Sequence, residues 1–226
     1  MSISDNIKIL KKSIRNGVTL LAVSKTKSIE DMEEAYKEGM RDFGENKVQE
    51  LMDKEELFHK DVKWHFIGNL QTNKVKYLVS KVYLIHSLSS LKLLNTIEKE
   101  FGKKEETANV LIQINIGKEE SKGGFFQEDL EDIISIIESC NYIKVKGLMT
   151  VIPKGDEESC KMYFRKMNQI FLELKKRNFK NIKMDILSMG MTHDYKVAIE
   201  EGSNLIRVGE GIFGLRNYNL GGDINE

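Results

Sequence analysis

The 226-residue sequence has no surplus of charge of either sign, because 35 lysines and arginines balance 35 aspartates and glutamates. Proteins that bind nucleic acid or an anionic membrane usually present a clustered positive charge, so the balance argues against both partners. No apolar run approaches the roughly 20 residues that span a bilayer. Residues 1–17 carry charges throughout, unlike a secretory signal. We therefore expect a cytoplasmic protein that contacts neither nucleic acid nor membrane.

Cysteine is scarce as well. Cys140 and Cys160 are the two cysteines of the chain, and their spacing matches no metal motif. They predict no disulfide framework and fit a reducing compartment. Three histidines, His65, His86 and His193, come from separate segments without ligand spacing, so we expect no zinc site. No Ser–His–Asp arrangement indicates hydrolysis.

The sequence does contain a regular alternation of apolar runs and amphipathic stretches. An N-terminal helix is predicted first, capped by Ser4 or Asp5 and stopped by Gly17. Eight strands are predicted at 18–23, 41–43, 63–67, 82–86, 109–116, within 143–151, at 184–187 and at 204–208. Helices are predicted between most of them, at 28–38, 47–58, 72–79, 91–101, 130–137, 160–174 and 193–201.

Strand–helix alternation predicts a parallel sheet of the α/β class. Eight units in about 200 residues fit a closed (β/α)8 TIM-type barrel, here with an extra N-terminal helix. The alternative is an open, doubly wound sheet, which the absence of G-x-G-x-x-G after the first strand disfavours. No linker or low-complexity stretch interrupts the chain, so we expect one domain over residues 1–226.

In such barrels the functional residues lie at the carboxyl ends of the strands. Two glycine-bearing turns stand out there: Ser188–His193 after strand seven and Gly209–Gly214 after strand eight. Loops at these two positions often bind phosphate through backbone N–H groups. Each turn by itself is equally well explained as a tight turn. Together, after the expected two strands, they favour a phosphate site.

Lys25 follows the first predicted strand, within the stretch LLAVSKTK. One interpretation is a surface lysine that extends its amine into water. The other is an amine in a partly dry barrel mouth, where a lowered pKa leaves it free to form a Schiff base with an aldehyde. A phosphate site in the same mouth favours a phosphorylated aldehyde as the ligand. Pyridoxal 5′-phosphate (PLP) is one such ligand, and the phosphosugar of a Schiff-base aldolase is another.

Arg207 lies on the last predicted strand, and a buried arginine requires a partner. That partner is either a carboxylate in a structural salt bridge or the ring nitrogen of a pyridine cofactor. Arginine does not readily release a proton, so a facing ring nitrogen stays largely unprotonated. PLP is then a poor electron sink, whereas enzymes that build a strong carbanion usually place a carboxylate there.

Several long motifs occur in order along the chain: AVSKTK, FGENKVQE, WHFIGNLQTNK, LIQINIGKEESKGG, KGLMT and LSMGMTHDYKVAIEEGSNLIRVGEGIFG. With these motifs the chain closely resembles the pyridoxal phosphate homeostasis protein family from residue 1 to about residue 216. That family is similar in fold to the N-terminal barrel of alanine racemase. The resemblance implies PLP as the cofactor.

The resemblance also implies a role for each matching residue. Lys25 corresponds to the Schiff-base lysine, Asn46 lies beside the cofactor ring and its phenolic oxygen, and Arg207 faces the pyridine nitrogen. The phosphate side of the site is implied for Ser188, Met189, Thr192, Gly209 and Glu210.

Three positions depart from the family pattern. Ser28 replaces a proline that would open the following helix, and a serine can cap that helix instead. Asn69 also replaces a proline. Glu210 replaces a threonine in the strand-eight turn. Because a phosphate dianion repels a carboxylate, the Glu210 side chain is expected to point away while its backbone N–H remains a donor.

The implied function is PLP homeostasis inside the cell, in which the chain holds PLP as a Schiff base without efficient catalysis. Apo PLP-dependent enzymes are then its candidate partners, and the single barrel predicts a monomer. The alternative is a single-domain amino-acid racemase or decarboxylase. Racemisation needs a proton-moving group on each face of the substrate. Lys25 can serve one face, and Tyr195 and His193 are the candidates for the other.

Overall fold

The computed structural model describes residues 1–119 and 122–214. Eight parallel strands close into a barrel in chain order, with the last strand paired to the first. The strands are β1 (Thr19–Val23), β2 (Asp42–Glu45), β3 (Lys63–Phe66), β4 (Leu84–Leu88), β5 (Ala108–Gln113), β6 (Ile143–Met149), β7 (Ile182–Ser188) and β8 (Leu205–Val208). The predicted TIM-type barrel is confirmed. The expectation of one domain over residues 1–226 stays a prediction, because 120–121 and 215–226 lie outside the described residues.

Helices connect the strands, and one precedes them. They are α1 (Ile3–Ser13), α2 (Ile29–Lys37), α3 (Val48–Leu57), α4 (Leu91–Gly102), α5 (Leu130–Glu138), α6 (Glu157–Lys175), α7 (Tyr195–Glu200) and α8 (Glu210–Phe213). The helix predicted over 72–79 is instead a 3₁₀ segment, Thr72–Tyr77, a geometry common in short connectors. A second 3₁₀ turn, Gln127–Asp129, precedes α5. The sequence patterns predicted neither that turn nor α8.

Side-chain caps set where the first two helices begin. Ser2, rather than the predicted Ser4 or Asp5, caps α1 in a reciprocal capping box with Asp5. Asp5 therefore takes part as the third helical residue. Ser28 caps α2 as predicted, because its hydroxyl accepts a hydrogen bond of 3.2 Å from the Asp31 N–H.

The side chains of each strand alternate between the helix-covered outside and the interior of the barrel. On β3, Trp64 and Phe66 join the large apolar core that includes the helices. His65 between them therefore faces inward. A small apolar cluster formed by Leu84, Leu111 and Met149 is separate from that core. The other inward positions are occupied by buried polar side chains, and these extend to the candidate site.

Gly147 allows β6 to fit between its two neighbours. The pairing register shifts on both sides of this strand, and Gly147 adopts φ +148°, a region that side chains rarely tolerate. A Cβ at this position would overlap the Ile186 carbonyl group. Glycine is therefore required here by both conformation and space.

Over residues 1–119 and 122–214, no helix combines the length and apolar character needed to cross a membrane. The same ranges contain no cluster of three or more histidine, cysteine, aspartate or glutamate side chains arranged to hold a metal ion. Cys140 and Cys160 are buried and unbonded to each other. Burial raises the pKa of the Cys140 thiol to about 11, so it is protonated at neutral pH.

Candidate cofactor site at the carboxyl end of the barrel

Four neighbouring strands supply all eight residues predicted for the site. In the closed barrel β7 pairs with β8, β8 with β1, and β1 with β2. Half-buried Lys25 lies two residues beyond the end of β1, and half-buried Asn46 follows β2 directly. The other six lie at or just beyond the ends of β7 and β8. The fold therefore gathers the predicted residues on one side of the barrel mouth.

Direct contacts join the loops of this mouth. The Gly211 N–H donates to Thr192 Oγ1 at 3.4 Å, which connects the loops after β8 and β7. Lys27 Nζ donates to the Phe213 carbonyl at 3.3 Å, which connects the loop after β1 to α8. The two turns predicted to form a phosphate site therefore lie in contact with each other and beside the Lys25 loop.

Arg207 is buried inside the barrel below these loops, with 5% of its surface exposed. One terminal nitrogen donates to the Ser188 carbonyl at 2.9 Å and to Ser188 Oγ at 2.7 Å. The other donates to the Thr150 carbonyl at 2.8 Å. These partners are neutral oxygens, in place of the carboxylate that a structural salt bridge would supply. Burial lowers the pKa of Arg207 to about 10, so it remains a cation at neutral pH.

A chain of hydrogen bonds continues from Arg207 through the barrel, and its direction can be derived. The Asp42 carboxylate only accepts, so His65 donates to it from Nε2 at 3.0 Å and, as a neutral imidazole, accepts on Nδ1. His86 therefore donates from Nε2 to His65 Nδ1 at 2.9 Å and accepts on Nδ1 from Ser188 Oγ, 3.1 Å away. Ser188 Oγ in turn accepts from Arg207, which only donates. Every member of the chain has a partner when both imidazoles are neutral.

Burial favours that neutral state. Desolvation lowers the pKa of His65, although the Asp42 carboxylate opposes the shift. Desolvation also lowers the pKa of His86 well below its ordinary value, assisted by the nearby His65 and Arg207. The interior therefore holds a cation near the mouth and an anion at the amino-terminal end, joined by oriented dipoles.

The sequence did not predict this chain of hydrogen bonds, because His65 and His86 were considered only as metal ligands. The alternation along the strand does indicate that His65 faces the barrel interior, because it lies between two large apolar residues that face the helices. Thr150, which directly follows β6, was not among the residues predicted for the site. A buried ionic cluster around Lys54 on α3 was also missed.

The phosphate-side residues differ in how the structure places them. Thr192 is half-buried, with its hydroxyl in contact with the loop after β8. Met189 is fully buried, its N–H donates to the Leu205 carbonyl at 3.2 Å, and its carbonyl accepts from Ser203 Oγ at 2.7 Å. Met189 is therefore packed in the barrel with its N–H bonded to β8, and its place on the phosphate side of the site stays a prediction.

Glu210 is the first residue of α8, directly after Gly209. Its carboxylate lies 3.5 Å from His193 Nε2, and these side chains are 40% and 87% exposed respectively. The carboxylate is therefore turned toward solvent and toward His193, in the direction predicted from the sequence, and a role of this turn in phosphate binding stays a prediction.

The chemistry of this donor set fits PLP. An amine for an aldehyde, a buried guanidinium for a ring nitrogen, and a hydroxyl between two glycine turns for a phosphate all lie at one mouth. The loop after β3 packs closely against Asn46: the backbones of Gly68 and Asn46 are so near that a Cβ on Gly68 would overlap the Asn46 backbone.

Comparison with known proteins agrees with this geometry. The sequence profile of the family described as "Alanine racemase, N-terminal domain" matches residues 1–217. The pyridoxal phosphate homeostasis protein of Aquifex aeolicus is 44% identical over 205 residues, which cover 90% of this chain and 89% of that protein. The corresponding Helicobacter pylori protein is 42% identical over 200 residues, covering 87% of each chain.

Solved structures share the fold. PipY of Synechococcus elongatus, solved without PLP, superimposes with a TM-score of 0.89 at 30% identity, covering 94% of this chain and 100% of that one. PipY has also been solved with PLP bound, and that structure gives a TM-score of 0.86. Alanine racemase from Corynebacterium glutamicum shares the fold alone, with a TM-score of 0.75 at 16% identity, covering 97% of this chain and 63% of that one. The chain belongs to the pyridoxal phosphate homeostasis protein family, within the family of alanine racemase N-terminal domains.

Proposed function

We propose that this protein binds PLP as a Schiff base on Lys25 and serves PLP homeostasis without efficient catalysis of its own. The observation that carries the proposal is the convergence of Lys25, Arg207 and two contacting glycine turns at one barrel mouth. The relatives named for PLP homeostasis and the PLP-bound PipY structure support it. Bound PLP supplies an aldehyde and an electron-withdrawing ring.

The residues divide the work of holding such a cofactor. Lys25 supplies the covalent anchor, Asn46 lies beside the ring, and the Thr192 hydroxyl with the Gly209 and Glu210 backbone serves the phosphate. Arg207 faces the ring nitrogen as a cation. Because a guanidinium keeps its protons at neutral pH, Arg207 can donate a hydrogen bond to that nitrogen but does not transfer a proton to it. The ring then withdraws electrons weakly, which favours holding over carbanion chemistry.

The group that racemisation needs opposite Lys25 has no clear candidate among the described residues. The Tyr195 hydroxyl lies 3.1 Å from Ser13 Oγ, on the terminal part of α1. His193 is largely exposed and lies beside the Glu210 carboxylate. Both positions support a carrier over a racemase. We further propose that the protein is a cytoplasmic monomer that passes PLP to apo-enzymes; the single barrel is the support for the monomer.

A turnover assay tests the proposal. Purified protein loaded with PLP is incubated with saturating amino acids, and racemisation and decarboxylation are followed alongside a Lys25→Ala variant. We expect Lys25-dependent rates at least about a hundredfold below the enzyme median of about 10 per second. Lys25-dependent turnover near that median would contradict the carrier role and establish the racemase or decarboxylase alternative. Failure of the wild-type protein to bind PLP would contradict the proposal as a whole.

A further inference from the structure

A buried lysine lies beneath the Lys25 loop. Lys54 of α3 is 7% exposed, and its ammonium donates three hydrogen bonds. The acceptors are the Ser24 carbonyl at 2.8 Å, Glu45 Oε1 at 2.9 Å and Glu50 Oε1 at 2.7 Å. An ammonium has three N–H groups, so each one is used.

These bonds hold the peptide groups on both sides of Lys25. The Ser24 carbonyl belongs to the peptide that precedes Lys25, and Lys54 binds it directly. The Thr26 N–H belongs to the peptide that follows, and it donates at 2.5 Å to the same Glu50 oxygen that Lys54 binds. Thr26 adopts φ +64°, a left-handed conformation that a non-glycine residue keeps only when its surroundings impose it.

Glu45 ties this cluster to the neighbouring strand. It ends β2 directly before Asn46, is fully buried, and accepts from Ser24 Oγ at 2.6 Å. Its other oxygen, Oε2, is buried without a hydrogen-bond partner among the described residues. Burying charges while one oxygen lacks a partner costs free energy and contributes little to the stability of the fold. Because the cluster lies directly under the proposed anchor, a role in holding the Lys25 loop explains why it is present.

We infer that Lys54 is a positioning residue, which fixes the direction of the Lys25 side chain by clamping the peptides on either side of it. The inference rests on the proposed function and deepens it. Schiff-base formation joins Lys25 Nζ to the aldehyde carbon as C=N and releases the aldehyde oxygen as water, with no net oxidation or reduction. A preoriented amine accelerates this step. All three N–H groups of Lys54 are taken by acceptors of the protein, so Lys54 is expected to leave noncovalent binding of ring and phosphate unchanged.

The test compares variants of the cluster with a matched control. Lys54→Met removes the clamp, and Glu50→Leu releases the Thr26 N–H while Lys54 keeps its pairing with Glu45. Glu50→Gln restores an acceptor for that N–H. Lys81→Met is the control, since Lys81 pairs with Glu55 outside the cluster. Glu50→Leu decides the question should Lys54→Met fail to fold.

Two readouts separate positioning from a merely structural role. One is the rate of Schiff-base formation after PLP is mixed with apoprotein. The other is the Kd of 4′-deoxypyridoxine 5′-phosphate, which keeps ring and phosphate but lacks the aldehyde. We expect the clamp-breaking variants to lose at least about tenfold in rate while the analogue Kd stays within about twofold. Glu50→Gln and the control are expected to react like the wild type.

Folded clamp-breaking variants that react at the wild-type rate would overturn the inference. An equal loss of analogue binding would overturn it too, because a general distortion of the mouth would then be the cause. A wild-type protein that binds the analogue but forms no Schiff base would instead contradict the proposed function. The two failures are therefore distinguishable.

Discussion

Ser188 joins the cation at the barrel mouth to the histidines behind it, and Ser188→Ala tests that connection. The substitution removes the hydroxyl that accepts from Arg207 at 2.7 Å and donates to His86 at 3.1 Å. A hydrogen bond to a charged group contributes about 1.5–3 kcal/mol, and a buried acceptor left without a donor costs about 1–3 kcal/mol. Because the two effects share one atom and are not fully additive, we expect a loss of about 3 kcal/mol in the free energy of unfolding.

Urea unfolding of the cofactor-free protein, followed by circular dichroism, measures this loss. Ser139→Ala is the control, because the exposed Ser139 hydroxyl donates only to the Ile136 carbonyl. That control is expected to stay within about 0.5 kcal/mol of the wild type. Arg207 keeps its bonds to the carbonyls of Ser188 and Thr150 in the variant. PLP affinity should therefore fall by less than about tenfold. A stability loss below about 1 kcal/mol would refute the conclusion that this hydroxyl joins Arg207 to His86 by two buried hydrogen bonds.

Three further predictions follow from named contacts. The buried histidines keep lowered pKa values when folded, so the unfolded chain takes up their protons first as the pH falls below about 6.5. The free energy of unfolding should then fall by up to about 1.4 kcal/mol per pH unit for each histidine, and this dependence on pH should be shallower in His86→Phe. An equal dependence in the variant and the wild type would contradict the conclusion that both histidines are neutral in the folded protein. Gly147→Ala should cost about 2–4 kcal/mol by urea unfolding, because strain adds to overlap with a carbonyl. Gly17→Ala, with φ +89° and open space around it, should cost less than half of that, and a similar cost at both sites would show that overlap contributes nothing. Glu210→Thr should tighten PLP binding about threefold in a spectroscopic titration, because a carboxylate beside the phosphate turn is removed; weaker binding would show that Glu210 assists the site.

The barrel was predictable because local patterns repeat eight times, whereas the ends of individual strands were not. Strand four was expected at 82–86 and forms at Leu84–Leu88, with half-exposed Tyr83 outside it and a register shift toward β5. Strand five was expected to reach Ile116 and ends at Gln113, after which Ile114 makes an isolated bridge to Phe125. An apolar run indicates which residues are buried. Because buried residues continue beyond the last residue paired in the sheet, the run does not show where the strand ends.

The mouth of the site was predictable for a related reason, since residues after parallel strands must meet at one end of the barrel. The supporting contacts were not, because they depend on register across the barrel. Lys54 shows the difference. It follows Val48 and Leu51 at intervals of three on the buried stripe of α3. That spacing was a signal that the lysine is buried, but its acceptors on β2 and after β1 appear only in three dimensions.

Borohydride reduction of the PLP-loaded protein, followed by peptide mapping, tests the central claim most directly. The purified protein is expected to be yellow, and the reduced cofactor is expected on the peptide that carries Lys25. Lys25→Ala should lose this label while it retains weaker, noncovalent binding through the phosphate contacts. A label on Lys27 or Lys47, or no label at all on a PLP-saturated protein, would contradict the account.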